Sequence, residues 1–502
     1  MYGEEKSDSL IVAANLANNP QGAESVERRS GAKGNAEQPH MRRTQSRESM
    51  SQRLSRVREA AKQRKKERFT ALFHLLTAEA LENAFLSLSR KAAAGVDGVR
   101  WKDYAENLKV NIADLHRRLH QGSYRAQPGR RHYIPKADGK QRPLGIASLE
   151  DKIVQYALVK ILNAVYENDF MGFSYGFRPG RSQHNALDAL ATGLVRTNVN
   201  WVLDADISQF FDKVSHEWLI RFIEHRIGDQ RVIRLIRKWL TAGTSEEGEW
   251  RASEEGEWRA SEEGTPQGAV ISPLLANIYL HYVFDLWAHQ WRRRHATGNV
   301  VMVRYADDIV IGFDKRIDAQ CFRIAMQRRL KEFGLTVHPK KTRLTEFGRF
   351  AAENRASRGK GKPETFNFLG FTHISGKDRS GRFMLIRKTR RDRMTATLKA
   401  IKDGLRKRWH YSIHEQGKWL RRVVQGYLNY HSVPGNYPMM RKFRIYVTDL
   451  WRRALRRRSQ QDDTTWTKAN RLAAVWLPKV RVLHPWPVER FTARHPRQEP
   501  GA

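Results

Sequence analysis

The chain has 502 residues, beyond the roughly 250 to 300 at which one hydrophobic core stops growing, so more than one lobe is expected. Its 91 Lys and Arg face 53 Asp and Glu, a formal net charge of +38, and that surplus points to a polyanionic partner, nucleic acid first. The single Cys321 excludes a disulfide framework and any zinc site of paired cysteines, and no apolar run reaches the roughly 20 residues of a membrane span. A cytoplasmic protein that associates with nucleic acid and not with membrane is therefore expected.

Residues 1–68 are poor in large apolar groups and pass into a basic run from Arg53 to Arg68, which reads as a largely flexible extension ending in a helix. From Thr77 the pattern is globular. Helices are expected over 79–90 and 108–119, on either side of a Gly95-Val96-Asp97-Gly98 turn. A hairpin follows, with strands near 132–135 and 142–146. After helices over 150–168 and 183–196, the apolar run 201–207 reads as a buried strand, and Asp204 and Asp206 inside it demand a reason.

A helix over 218–240 then precedes an octapeptide written twice, at 245–252 and 253–260, with a partial third copy at 261–264. Ile271, Leu275, Ile278, Tyr282 and Leu286 form one stripe of the next helix. A second hairpin, 300–305 and 309–313, carries Asp307 and Asp308 at its tip. The last third reads as helical and basic. Met394, Leu398, Ile401, Leu405 and Trp409 share one face, Phe443, Val447, Leu450 and Ala454 another, and 419–430 supplies a third stripe. Three such helices bury their stripes in a bundle and turn cations outward, where Arg452, Arg453 and Arg456 to Arg458 suit phosphate contact.

Asp206 at the end of one strand and Asp307 with Asp308 on a hairpin tip converge if their strands are neighbours in one sheet. Ionised carboxylates brought together repel, and hard divalent cations with oxygen ligands relieve the repulsion. Magnesium is the natural choice. Two such ions about 3.5 to 4 Å apart activate an attacking hydroxyl and stabilise the leaving oxygens in phosphoryl transfer.

Tyr305-Ala306-Asp307-Asp308 between apolar strands, preceded by Asp206 with Phe211 five residues on, resembles the palm of reverse transcriptases. Thr265-Pro266-Gln267-Gly268 followed by Ile271 to Asn277 is similar to that family's template and nucleotide contact segment, and Phe368-Leu369-Gly370-Phe371 to its primer-gripping hairpin. Within the family the group II intron class is the nearest likeness. It is carried by Ala94 to Gly98, by Ile134-Pro135-Lys136 through Arg142 to Ile146, by Gly176 to Ser182, and by a maturase-like segment, Gly426 to His431.

The resemblance covers roughly 77–455 and implies an α+β right-hand polymerase. Fingers and palm with antiparallel sheet would occupy 69–380, an all-helical thumb and maturase domain 381–458, and a basic tail 459–502, with Trp476, Trp486 and Arg490, would contact DNA. It implies that Asp206, Asp307 and Asp308 are catalytic and hold two Mg2+, with the Ile207 carbonyl as a further ligand. Lys136, Arg142, Phe211, Gln267 and Lys341 would bind the nucleotide, Phe211 excluding a ribose 2′-hydroxyl by bulk.

The implied function is an intron-encoded RNA-directed DNA polymerase that also assists splicing. Its partners would be group II intron RNA, an RNA template with a DNA primer, target DNA and deoxynucleoside triphosphates. The alternatives are a free-standing relative in DNA repair or phage defence, and a maturase that only binds RNA. Two departures stand out: Ala269 where the family commonly has a second glycine, and the doubled octapeptide. The lone cysteine also argues against the family's cysteine-bearing endonuclease.

Overall fold

The computed structural model describes residues 49–135, 141–245, 263–265, 268–458 and 464–494. The first described helix, Met50–Gln63, starts at a capping box in which Ser49 and Gln52 satisfy each other's backbone donors, and packs on Leu149–Tyr166. The basic extension therefore reaches the core through this helix. Strands β1 (Gly129–Pro135) and β2 (Gln141–Ile146) form the expected hairpin, and the short β4 (Thr244–Ser245) adds in parallel to β1.

The central sheet has four antiparallel strands: β3 (Trp201–Asp206), β5 (Val300–Tyr305), β6 (Asp308–Phe313) and β7 (Arg343–Glu346), in the order β5-β6-β3-β7. β5 and β6 read as continuous β-branched runs and not as alternation, because helices cover the sheet. Gln183–Arg196 packs on β5, and Arg316–Glu332 packs on β3 and β6. A third sheet, in the order β10-β9-β8, joins β8 (Thr365–Phe368), β9 (Phe371–Lys377) and β10 (Phe383–Thr389). Beyond Thr389 the described chain is helical.

Two expected helices are interrupted. The apolar periodicity over 218–240 runs through a break between His216–Glu224 and Gln230–Thr241. Asp229 explains it: its carboxylate accepts from the backbone N–H of Arg231, capping the second helix, and also from Leu72 and Phe73 at 2.8 Å. The striped helix after Ile271 is Ser272–Leu280 and Leu286–His295, joined by a π turn, His281–Asp285.

A second core unites the helices Arg391–Arg406, Ile413–His431 and Tyr437–Arg456, as their stripes foretold. The helix Trp466–Trp476 joins that core through Ala473. The following helix, Pro487–Arg494, returns to the first core, packing on Gln183–Arg196. There Arg490 pairs with the buried Asp188, at 3.0 Å for one of its two bonds, and so is held by protein. Of the repeat at 245–264, residues 246–262 lie outside the described residues. Among those described, no helix is long and apolar enough to cross a membrane.

Candidate active site

Pairing of β3 with β6 sets Asp206 directly opposite Asp308, and pairing of β5 with β6 sets Tyr305 opposite the same residue. The strands carrying the acids are therefore neighbours. Ala306 and Asp307 form the two-residue turn between β5 and β6, and Ala306 adopts a left-handed φ of 57°. That matches the positive first position of a II′ hairpin turn, filled here without glycine. Asp204, two residues before Asp206 on β3, projects to the same side of the sheet.

These four acids floor an open cleft of about 920 Å³. Cations stand in its wall: Lys340, Lys341 and Arg343 from around β7, and Arg390 and Arg393 from the start of the first C-terminal helix. The turn Leu369-Gly370 closes another side, with φ of 44° and 79°, and the Tyr430 hydroxyl donates to the Leu369 carbonyl at 2.8 Å. The motif likened to a primer grip is thus tied to the maturase-like segment.

Burial, then the neighbouring Asp307 and Asp206 charges, push the Asp308 carboxyl up to about 6. Its side chain is reachable from the cleft, yet protein surrounds it on the other sides. Asp204 is raised further, to about 7, by burial and then by Asp308 and Asp206. Lys341 offsets part of this charge, its ammonium donating to Asp206 at 2.7 Å.

The other expected site residues are distributed unevenly. Ile207 is buried at the end of β3 and bridges Val337 through bonds made by its neighbours, His338 N–H to the Asp206 carbonyl and Ser208 N–H to the Thr336 carbonyl. Phe211 is half-buried, edge-on to Phe210 at 5.4 Å, and is not among the residues lining the cleft. Arg142 is on β2 opposite Ile134. Its side chain, like Lys136 and Gln267, lies outside the described residues. The flanks of the Gln267 segment are placed: Thr265 N–H donates to the Phe211 carbonyl at 2.7 Å, and Gly268, with φ 108°, abuts the Gly145 carbonyl. Ala269 is buried without a left-handed φ, so the missing glycine is accommodated.

Asp204, Arg390 and Arg393 escaped the sequence reading as site residues. Asp204 had a signal, an acid in a buried strand spaced by two from Asp206. The arginines had none, because only the fold of the C-terminal helices brings them to the sheet. Among the described residues no three histidine, cysteine or carboxylate groups converge tightly enough to hold an ion as they stand. The acids lining the cleft nevertheless offer carboxylate oxygens, the ligand type that hard cations take.

Residues 134–373 match the model of the family described as reverse transcriptase (RNA-dependent DNA polymerase). The chain is 41% identical over 214 residues to Protein YkfC of Escherichia coli (strain K12), covering 42% of this chain and 54% of that protein. It is 36% identical over 231 residues to the group II intron-encoded protein LtrA of Lactococcus lactis subsp. cremoris, covering 45% of this chain and 37% of LtrA. A third relative, the putative COX1/OXI3 intron 1 protein of Saccharomyces cerevisiae, is 25% identical over 401 residues, 66% of this chain and 46% of its own length. The chain thus spans about half the length, or less, of these relatives. Residues 134–373 of this chain thus resemble a reverse transcriptase domain, and over part of their length they are similar to a group II intron-encoded protein.

Proposed function

We propose that the chain is an RNA-directed DNA polymerase encoded in a group II intron, which copies intron RNA into cDNA and assists splicing of that RNA. The observation that carries this reading is Asp206 set opposite Asp308 beside Asp307, on the floor of a cleft walled by cations. Acids at the floor and cations at the wall suit one substrate arrangement, a phosphate chain lying between them. Fingers and palm at 69–380 and a thumb with maturase function at 381–458 are the matching division. The separate core of the C-terminal helices supports that boundary.

Asp206, Asp307 and Asp308 would hold two Mg2+, with the Ile207 carbonyl as a further oxygen ligand. When bound, such ions lower the pKa of an attacking hydroxyl and neutralise charge on the leaving oxygens. The chain's own groups do the rest. Lys341 sits close enough to the acids to receive the pyrophosphate side of a deoxynucleoside triphosphate, exchanging its bond to Asp206 for a charge-assisted bond to phosphate. Arg390 and Arg393 are placed to take backbone phosphates of the primer and template. Lys136, Arg142 and Gln267 would complete the nucleotide site from the hairpin and the segment after the repeat.

The test is extension of a DNA primer on an RNA template by the purified full chain with Mg2+ and deoxynucleotides. Asp206→Asn and Asp307→Asn should each lose essentially all extension while binding intron RNA like the parent. Extension surviving in either variant would remove the acids from the reaction. A parent protein that binds intron RNA and promotes splicing without extending primers would favour the RNA-binding maturase.

A further inference from the structure

The turn that carries Asp307 and Asp308 rests on a buried polar network beneath the floor of the cleft. Its centre is Arg304, the residue before Tyr305 on β5, which is fully buried. Its guanidinium grips Asp285, also fully buried, through two parallel bonds of 2.7 and 2.6 Å. It donates further to the Ser174 hydroxyl at 2.7 Å, to the Asn277 side-chain oxygen at 3.1 Å and to the Ala306 carbonyl at 3.0 Å. Every N–H of the fork therefore has an acceptor. The last of these acceptors belongs to the one left-handed residue of the turn.

The same turn is braced from a second side. Asn277 donates to the Gly176 carbonyl at 2.7 Å, and Gly176 lies so close to the turn that a Cβ there would stand 2.3 Å from the Ala306 nitrogen. Residues 173 to 175 run alongside β5, with Arg304 N–H donating to the Phe173 carbonyl at 2.9 Å and Tyr175 N–H to the Arg304 carbonyl at 2.8 Å. Asp285 closes the π turn of its helix, a local widening that recurs at functional sites.

Such a network is poorly explained by stability alone. A buried ion pair loses so much hydration that well-packed apolar residues often serve the fold equally well or better. An arginine fork fixes direction where apolar packing does not. A turn at the edge of an open cleft with one residue at left-handed φ needs such bracing, because the carboxylates it carries must be placed to within a fraction of an ångström.

We propose that Arg304, aimed by Asp285, Ser174 and Asn277, is a positioning residue that locks the Ala306-Asp307 turn and so fixes the orientation of the Asp307 and Asp308 carboxylates. This rests on the polymerase reading given above. Removing the lock leaves the acids present but misplaced. The loss then falls on the chemical step and on cation affinity, and template and primer binding is spared.

The experiment uses the full chain with an RNA template and DNA primer, and compares Asn277→Ala, Arg304→Lys and the apolar pair Arg304→Met with Asp285→Leu. Single-nucleotide extension gives kcat and KM, a Mg2+ series gives the concentration for half-maximal rate, and Mg2+ titrated alone is followed by its effect on melting temperature. Asn277→Ala keeps the ion pair and should fold. Its kcat is expected to fall about tenfold and that of Arg304→Lys about a hundredfold, the scale of an ångström-sized misplacement. Half-maximal Mg2+ should rise, Mg2+ alone should protect the variants less, and the template–primer Kd should stay at the parent value.

A folded apolar pair with parent kcat would overturn the proposal, as would Asn277→Ala with parent kcat and parent Mg2+ dependence. Failure of the parent chain to extend any primer would instead strike the polymerase reading. If the apolar pair does not fold, Asn277→Ala decides alone.

Discussion

Lys341 donates to Asp206 at 2.7 Å across 135 positions of sequence, from a side chain that is itself 62% exposed. So open an ion pair contributes little to folding, about 0 to 1 kcal/mol. Lys341→Met should therefore leave the melting temperature almost unmoved. On the proposed reading it should lower kcat for single-nucleotide extension about tenfold or more, because the lost cation would act on phosphate charge as it develops. A melting temperature that falls steeply with kcat unchanged would make the pair structural only.

Phe211 bears on nucleotide choice. Its ring is edge-on to Phe210 beside the Thr265 segment, and not in the lining of the carboxylate cleft. If the bound sugar comes to rest on it, Phe211→Val opens room for a 2′-hydroxyl and the ratio of ribonucleotide to deoxynucleotide incorporation rises. Parallel single-nucleotide assays measure this. A ratio equal to that of the parent would leave Phe211 as a core aromatic.

Acid should destabilise the fold through buried neutral histidines. His373 is fully buried, stacked on Phe366 at 4.7 Å, and burial and then Arg387 lower its pKa to about 3. His431, lowered to about 4 by burial, sits at the junction of β10 and the C-terminal helices. Below the ordinary histidine value of about 6.5 the unfolded chain takes up protons that the fold refuses, so stability falls as pH drops. Each such group contributes about 1.4 kcal/mol per pH unit in that window, or about 2 kcal/mol between pH 7 and pH 5. Denaturant titrations of His373→Leu should show a flatter loss over that range than the parent. Identical slopes would mean that His373 is protonated in the fold.

The arginines near the end of the helix Tyr437–Arg456 divide into two groups. Arg452 and Arg453 pair with Asp449 at 3.0 and 2.7 Å, and Arg452 also lies over the Trp466 ring at 4.8 Å. Arg458 donates to the Trp409 carbonyl at 2.9 Å and to the Tyr411 carbonyl. Arg456 and Arg457 are exposed. Arg456→Glu with Arg457→Glu should weaken intron RNA binding and flatten its salt dependence, each lost phosphate contact removing about 0.7 to 0.9 from the log-log slope. Arg458→Ala should instead lower the melting temperature with the slope little changed. Filter binding across a salt series, with thermal melts, separates the two.

Much of this protein was legible without coordinates because the signals are local. The runs of β5 and β6 with acids between them and the three stripes after residue 390 depend on nearest neighbours and on helical or strand period. The motifs around Asp206, Asp307 and Asp308 are local in the same way. Periodicity failed where a single buried interaction overrode it. Asp229 cut one helix in two by binding backbone donors of Leu72 and Phe73 more than 150 positions away. Charge also misled, since Arg490 reads in sequence as part of a basic tail and is held in the fold by the buried Asp188. Tertiary structure alone decided that Asp206 faces Asp308, that Arg390 and Arg393 reach the same cleft, and that Arg304 supports the turn between the acids. Strand order and the partners of buried charges arise from contacts between distant segments, and neither composition nor period records which segments will meet.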